Sequence, residues 1–357
     1  MQEGLQLITT NRHKIFLSQM SKKSNNEERC RRILEENGAI VADKARTILL
    51  EDQGLKDLRP PLEFISKNWR NPLTPAMVRL SCEAVGGRPE ETNEAALAMS
   101  LISLSLYVWD DIIDKAPFKL FKPTLFGKFG EGTALMIGGL TSAKAFSILN
   151  EMDIDKLERQ TVTKMFWNLL TKMAKAETVD LRLRKKGNLS SRKKLWKIKT
   201  EAADLETCLR IGAILGNGSE DEVRHLGRYG LYLGIILELL KDFHVSINLT
   251  LELAEKIRSG ALPYSLLWAR ERSEKIREKL EDLANRNTIE PSDIKEIVEG
   301  ILETKALNHT MKIIRKYAKK AKEELIELKI NNATRTLKFF VEAQLSLFIE
   351  SLSTLQA

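Results

Sequence analysis

The chain has 357 residues, 43% of them hydrophobic, and 57 Lys and Arg against 49 Asp and Glu give a formal net charge of +8. A chain of this length and apolar content buries a sizeable core, as one large domain or two small ones. Its mild basicity suits an anionic ligand or a membrane surface, and we expect no nucleic-acid partner.

The cysteines are Cys30, Cys82 and Cys208, and their wide spacing excludes a cysteine metal site. They are typical of reduced thiols in an intracellular protein. No apolar run approaches the length of a membrane-spanning helix, and the first residues lack the apolar core of a signal peptide. We therefore expect a cytoplasmic protein.

Helix-forming residues dominate the chain, and no proline occurs between Pro123 and Pro263. Strand-like alternation is scarce, which predicts an all-α fold of long helices. We predict one helical domain over residues 25–357, preceded by a polar extension at residues 1–24. The first helix covers residues 25–50, and "LTPAMVRLSCEAVGG" begins a second helix near Pro75 and ends it at a Gly pair.

Three later segments are strongly apolar. The stretch "EETNEAALAMSLISLSLYVWDDIID" is apolar nearly all round from Ala95 to Trp109, which predicts a central, buried helix. "GTALMIGGLTSAKAFSIL" is similar, with small residues that allow close packing, and "HLGRYGLYLGIILELLKDFHVSINL" gives a second very apolar helix with a polar end. Residues 308–355 form an amphipathic helical pair.

The first of these segments ends in three aspartates, Asp110, Asp111 and Asp114. Asp110 and Asp114 lie four residues apart, so on a helix they share one face. Two such carboxylates repel each other unless a cation sits between them, and carboxylate oxygens suit Mg²⁺. The pattern predicts a metal site at the mouth of an apolar cavity.

The aspartate cluster and its surroundings resemble the trans-isoprenyl diphosphate synthases, a family of the class I terpenoid synthase superfamily. The resemblance continues through "KPTLFGKFGEGTALMIGGLTSAKAF", "KIKTEAADLETCLRIGAILG", "LGRYGLYLGIILELL" and "SGALPYSLL", in order over most of residues 40–355. It implies a single all-α domain of long, mostly antiparallel helices around a deep apolar cavity. There an allylic diphosphate, held through Mg²⁺, ionises while the cavity keeps water from the cation.

The resemblance also implies roles for individual residues. Asp110, Asp114 and Lys199 are the expected catalytic residues, and the expected metal ligands are Asp110, Asp111, Asp114 and Asp242. The expected diphosphate-binding residues are Lys199, Lys119, Lys122, Lys241 and, through orientation of the cations, Asp180. Counting back from Asp110 along the helix places Ser105 and Leu106 in the predicted prenyl-tail pocket. Trp109 is expected at its side, and Phe146 is the fourth predicted pocket residue.

The chain departs from the family pattern at two places. In "WRNPLTP", Asn71 and Thr74 stand where the family has a Lys and an Arg that bind isopentenyl diphosphate, and Arg70 is out of register. The second aspartate motif is "KDFHV", in which Asp242 alone survives. Each lost charge-assisted bond costs ~1.5–3 kcal/mol, so ordinary chain elongation is expected to be compromised.

Three functions stay open. The chain ionises a prenyl diphosphate of C15–C20 or longer and cyclises it or transfers the prenyl group, with a terpene-cyclase-like metal triad at Asp242, Ser246 and Thr250 or at His244, Asn248 and Glu252. Alternatively, it is a catalytically impaired partner subunit of a heteromeric synthase, or an ordinary elongating synthase in which other cations substitute. We expect a homodimer or a heteromer with a paralogous synthase, and peripheral membrane contact for a lipophilic product.

Overall fold

The computed structural model describes residues 25–119, 122–185, 187, 189–247, 251–286 and 288–356. The predicted polar extension at residues 1–24 lies outside these ranges. The described chain is helical apart from one short antiparallel pair of strands, β1 (Phe118–Lys119) and β2 (Lys122–Pro123). The predicted all-α fold is therefore confirmed.

The first half of the chain gives α1 (Asn25–Thr47), α2 (Arg59–Asn68), α3 (Leu73–Ala84), α4 (Asn93–Ile113), α5 (Leu125–Glu151), α6 (Lys156–Lys185) and α7 (Ser191–Glu201). The second half gives α8 (Ala203–Leu215), α9 (Glu220–Ile247), α10 (Leu251–Arg258), α11 (Tyr264–Arg270), α12 (Glu274–Ala284), α13 (Pro291–Glu303), α14 (Ala306–Ile326) and α15 (Asn332–Gln356).

Helix α4 lies in the middle of the core, as its all-round apolar sequence predicts. Its residues Ala95, Leu101, Ile102 and Val108 are fully buried, and its neighbours are α1, α3, α5 and α8. Helices α3 and α8 cross so closely that a Cβ atom on Gly212 would overlap the carbonyl of Val78. Helix α9 packs against α8 on one side and α14 on the other.

Two segments are longer and more apolar than we expected from the sequence. The segments Pro89–Ile113 and Leu125–Glu151 reach the length and apolar composition of a membrane span, so the expectation that no run approaches one is wrong. In the first segment, the apolar side chains form the centre of the core. That burial explains the composition without a membrane.

A tight reversal after α4 determines where the charged site lies. The helix ends at Asp114, and Lys115 adopts a left-handed conformation with φ of 51°. The hydroxyl of Thr124, which caps α5, donates to the Ala116 carbonyl at 2.7 Å, and this bond closes the loop. The strand pair between them therefore folds Lys119 and Lys122 back over the end of α4.

Candidate active site

A cavity of about 1370 Å³ lies between α4, α6, α9 and α15. Its walls are mainly apolar, with side chains from all four helices, among them Leu106, Trp109, Leu170, Met173, Leu237 and Phe348. Charged side chains line one end, where the last turns of α4 and α6 meet the start of α8 and the last turns of α9. An apolar chamber with a charged end is suited to a ligand that has a greasy tail and an ionic head.

Lys119 holds the first two aspartates of α4. Its Nζ lies 2.9 Å from Oδ2 of Asp110 and 2.5 Å from Oδ1 of Asp111. The Asp111 side chain is 1% exposed, and burial raises the pKa of this carboxyl to about 6. Asp110 and Lys119 line the cavity, whereas Asp111 lies behind them.

The third aspartate, Asp114, is bound by two cations from distant parts of the chain. Arg184 on α6 donates to Oδ1 at 2.7 Å, and Lys256 on α10 donates to Oδ2 at 2.5 Å. Burial opposes ionisation of this carboxyl, but the two cations more than compensate and hold its pKa near 2. Asp114 is 6% exposed and does not line the cavity, so it serves as an internal anchor between three helices.

A second charged cluster joins α6 to α7. Lys197 places Nζ 2.9 Å from Oε1 of both Glu177 and Glu201, and 3.8 Å from Asp180. Burial raises the pKa of Glu177 to about 7. Asp180 contacts Arg184 as well as Lys197, in line with its expected role of orienting cations.

Lys197, not Lys199, is the lysine of α7 in this cluster. The predicted residue Lys199 is exposed, and its Nζ lies 5.8 Å from the Tyr317 ring on α14. The two lysines are two positions apart, and such a step crosses to roughly the opposite side of a helix. Lys199 therefore lies away from this cluster, and its expected role at the diphosphate stays a prediction.

Helix α9 supplies Glu238 and Lys241 to the charged end, where they face Asp204 from α8. Lys241 is 59% exposed, but the exposed part faces the cavity, 3.8 Å from the Glu238 carboxylate. The negative charge of Glu238 is the largest cause that raises the pKa of Lys241. Burial, followed by the charge of Glu238, raises the pKa of Asp204 to about 7.

Asp242 has a structural contact instead of the predicted metal ligation. Its Oδ2 accepts the Tyr264 backbone N–H at 2.9 Å and lies 3.5 Å from Nζ of Lys194. It therefore fixes the start of α11 and does not line the cavity. Its proposed triad partner Ser246 is buried and bonded to Ser265, and Thr250 lies outside the described residues.

A second set of predicted cyclase-like ligands lies partly on the cavity wall. His244 and Glu252 both line it, and Asn248 lies outside the described residues. Burial lowers the pKa of His244, so the imidazole is neutral at pH 7. Its neighbours on the wall include Phe348 of α15.

Two of the four residues predicted to form the prenyl-tail pocket line the cavity. Leu106 and Trp109 line the cavity, whereas Ser105 is fully buried and donates its hydroxyl to the Leu101 carbonyl at 3.0 Å. Five residues before Asp110 is about 140° around the helix, so Ser105 faces the core and Ser103 takes its place on the wall. Phe146 is also displaced, because it packs edge-to-face on Phe166.

The stretch expected to bind a second diphosphate carries no cation into the cavity. Asn71 lines the cavity and donates to the hydroxyls of Thr74 and Ser103 at 3.0 and 3.1 Å. Arg70 instead makes a bidentate pair with Glu35 at 2.7 and 2.8 Å and also binds Asp43. It therefore ties α1 to the end of α2 and does not substitute for the missing lysine and arginine.

Comparison with known proteins identifies the family. The family model for polyprenyl synthetases matches residues 61–301, which is more than half of the chain. The chain belongs to the polyprenyl synthetase family. The predicted family and enzyme class, a prenyltransferase, are confirmed at this level.

Two curated relatives each cover about three quarters of this chain. The geranylgeranyl diphosphate synthase of Saccharolobus solfataricus is 27% identical over 284 residues, covering 76% of this chain and 84% of the relative. The short chain isoprenyl diphosphate synthase of Methanothermobacter thermautotrophicus is 24% identical over 276 residues, with the same coverage of each chain.

Solved structures share the fold. The geranylgeranyl pyrophosphate synthetase of Pyrococcus horikoshii superposes with a TM-score of 0.78 at 24% identity, over 90% of this chain and 99% of that one. A polyprenyl synthase of Caulobacter crescentus, solved with calcium and isoprenyl diphosphate, gives 0.79 at 21% identity, over 91% and 98%. At these identities the likeness establishes the fold alone.

The family implies a divalent metal at the aspartate motif, but the carboxylates here do not fit one as they are arranged. Asp111 is closed off behind Lys119, and both oxygens of Asp114 are taken by cations. Among the described residues, no group of three or more His, Cys, Asp or Glu side chains is arranged to hold a metal ion.

Some functional residues were missed at the sequence level. Arg184 lies four and seven residues after Asp180 and Glu177, so helical periodicity in the basic stretch of α6 could have placed all three on one face. The same rule relates Lys197 to Glu201 on α7. Lys256 carries no such signal, because only the fold brings it to Asp114, 142 positions earlier.

Proposed function

We propose that this chain binds an allylic prenyl diphosphate in the cavity and transfers or cyclises the prenyl group. The observation that carries the proposal is one chamber of about 1370 Å³ with apolar walls and three lysines, Lys119, Lys122 and Lys241, at its charged end. The volume accommodates a tail of C15–C20. The apolar walls gain free energy by burying such a tail, at roughly 25 cal/mol per Å² of apolar surface.

The chain's own residues act on the diphosphate in this proposal. Lys241 and Lys122 line the chamber with positive charge and donate hydrogen bonds to the phosphate oxygens. These bonds favour departure of the diphosphate as the leaving group. Leu106 and Trp109 exclude water from the allylic carbon. The raised pKa values of Glu177 and Asp204, each near 7, reduce the negative charge that opposes an anionic ligand.

The acceptor is proposed to be something other than isopentenyl diphosphate, or the prenyl chain itself in a cyclisation. Asn71 and Thr74 offer only neutral groups where the family has two cations, and Arg70 is committed to Glu35. A second diphosphate therefore lacks the charge-assisted bonds that would hold it. Mg²⁺ stays a predicted cofactor on the strength of the family alone.

A partner subunit is the second candidate. The specific observation in its favour is that all three aspartates of the motif are already paired with protein cations. Such a chain would bind a prenyl diphosphate or its product without ionising it. It would change the length of the prenyl chain that a catalytically complete synthase makes, by associating with that synthase.

Dimer formation is part of the proposal and rests on the outward face of α5. Leu135 and Met136 are both exposed, and Leu135 also lines the cavity. A second chain packed on this face would cover apolar surface and complete that wall. Light scattering after gel filtration is expected to give a dimer for the wild type and a monomer for Met136→Glu.

The test is incubation of the purified protein with geranyl, farnesyl or geranylgeranyl diphosphate and Mg²⁺, with and without radiolabelled isopentenyl diphosphate. The expected result is release of diphosphate and organic-phase products, with no longer prenyl diphosphate formed. Rapid elongation of farnesyl diphosphate would restore the ordinary synthase. Silence with every substrate, together with a changed product when a complete synthase is added, would establish the partner subunit.

A further inference from the structure

The aspartate motif is charge-balanced by the protein itself. Lys119 lies between Asp110 and Asp111, and Asp114 is shared between Lys256 and Arg184. Three carboxylates therefore face three cations, all with N–O distances between 2.5 and 2.9 Å. Three of these contacts, Lys119–Asp110, Arg184–Asp114 and Lys256–Asp114, are charge-assisted hydrogen bonds, and Lys119–Asp111 is an ion pair.

These cations come from separate elements whose placement the fold determines. The strand pair after α4 brings Lys119 back by nine positions, α6 brings Arg184 from 70 positions away, and α10 brings Lys256 from 142 positions away. Lys119 is additionally held at 4.9 Å from the Tyr107 ring centroid on α4. The arrangement is thus built by tertiary structure at three independent points.

We propose that Lys119 and Lys256 take the place of divalent ions at the aspartate motif, so that the free protein excludes metal from it. The ammonium group of Lys119 occupies the position between two carboxylates that a bridging cation would need. A Mg²⁺ ion sheds its water reluctantly and requires near-octahedral oxygen ligands. It would have to displace ammonium groups that already lie against one oxygen of each of these carboxylates.

Burial shields the carboxylates from solvent more than it shields the lysines. The carboxylates of Asp111 and Asp114 are 1% and 6% exposed, so a hydrated ion cannot reach them from solvent. The lysines are 21% and 24% exposed and lie on the accessible side. Removal of the two lysines therefore opens a path to Asp111 and to the one oxygen of Asp114 that Arg184 does not hold. The inference concerns the free protein and does not depend on the proposed function.

The test measures binding of Mn²⁺ alone to the wild type, Lys119→Met, Lys256→Met and the double variant, by loss of the free-ion electron paramagnetic resonance signal. The control is Lys319→Met, which removes an exposed lysine that also pairs with a carboxylate, Glu323. The expected result is binding at least tenfold tighter in the double variant than in the wild type or control. Mn²⁺ is also expected to raise the melting temperature of the double variant only.

Two results would overturn the proposal. One is tight Mn²⁺ binding by the wild type, within threefold of the double variant, that Asp110→Asn removes. The other is a folded Lys119→Met or double variant, as judged by circular dichroism, with no gain in affinity. The wild-type measurement decides by itself if the variants fail to fold, because a strong site at Asp110 in the unaltered protein contradicts exclusion.

Discussion

Lys256 and Asp114 are 142 positions apart, yet Nζ of the lysine lies 2.5 Å from Oδ2 of the aspartate. With Arg184 on the other oxygen, this pair fastens α10 and α6 to the end of α4. The aspartate that the motif presents as a ligand is therefore, in this chain, a junction between helices.

The first prediction contrasts two aspartates of the motif. Asp114→Ala leaves the buried Arg184 short of one partner and is expected to lower the free energy of unfolding by about 3 kcal/mol. Asp110→Ala removes a carboxylate that is 32% exposed, and is expected to cost less than about 1 kcal/mol. Urea denaturation at pH 7 measures both. Equal losses for the two variants would contradict the assignment of Asp114 as the structural anchor.

The second prediction separates two lysines of α7. The Lys197 side chain is 5% exposed, and Lys197→Met leaves Glu177 and Glu201 without their shared partner. This change is expected to lower the free energy of unfolding by about 3 kcal/mol. Lys199→Met removes an exposed side chain above Tyr317 and is expected to change stability by less than about 0.5 kcal/mol. Thermal and urea denaturation of the pair provide the comparison. A greater loss of stability for Lys199→Met would contradict the assignment of Lys197 as the buried, paired lysine of this helix.

The third prediction concerns tail length. Ser103 lies seven residues before Asp110 on the same wall, which places it about 10 Å further into the chamber. Ser103→Phe is expected to weaken binding of geranylgeranyl diphosphate at least tenfold while geranyl diphosphate loses less than threefold. Ser103→Ala is the control, because it removes the Asn71 hydrogen bond without adding bulk. Equal loss for both ligands would show that the tail does not run along this wall.

The fourth prediction is a pH dependence of stability. Asp204 has a pKa of about 7 in the folded protein against 3.8 as its ordinary value, so the folded state binds more protons between these limits. Its contribution to stability is therefore present below pH 4 and is lost as the pH rises through 7. Asp204→Asn is expected to be more stable relative to wild type at pH 7.5 than at pH 4.5. Urea denaturation at both pH values checks the sign, and a constant difference would contradict it.

The sequence predicted the fold well because helix periodicity is a local property. The all-round apolar character of residues 95–109 placed α4 at the centre, and Pro75 and the Gly pair placed the start and end of α3. Four residues that line the cavity could be predicted from the sequence because they lie close to a recognisable motif: Leu106, Trp109, Lys119 and Lys241.

The site was harder to predict where partners come from distant segments. The pairing of Asp114 with Lys256 is set by how α10 packs, and no pattern in the sequence relates the two. Asp242 matches the residue type of the second motif, but its carboxylate accepts the Tyr264 backbone N–H instead of facing the cavity. Ser105 and Lys199 lie off the cavity for a simpler reason, since a shift of one or two residues turns a helical side chain to another face of the helix.

The most direct measurement is a calorimetric titration with farnesyl S-thiolodiphosphate, a poorly reactive analogue, beside its two halves, farnesol and inorganic pyrophosphate. The whole ligand is expected to bind at least tenfold tighter than either half. Lys241→Met is expected to weaken binding of the whole ligand and of pyrophosphate about tenfold, because one charge-assisted bond of ~1.5–3 kcal/mol is lost. Binding of farnesol is expected to be unchanged in this variant. Absence of binding by the whole ligand, or equal binding by the wild type and Lys241→Met, would contradict the placement of a prenyl diphosphate in this cavity.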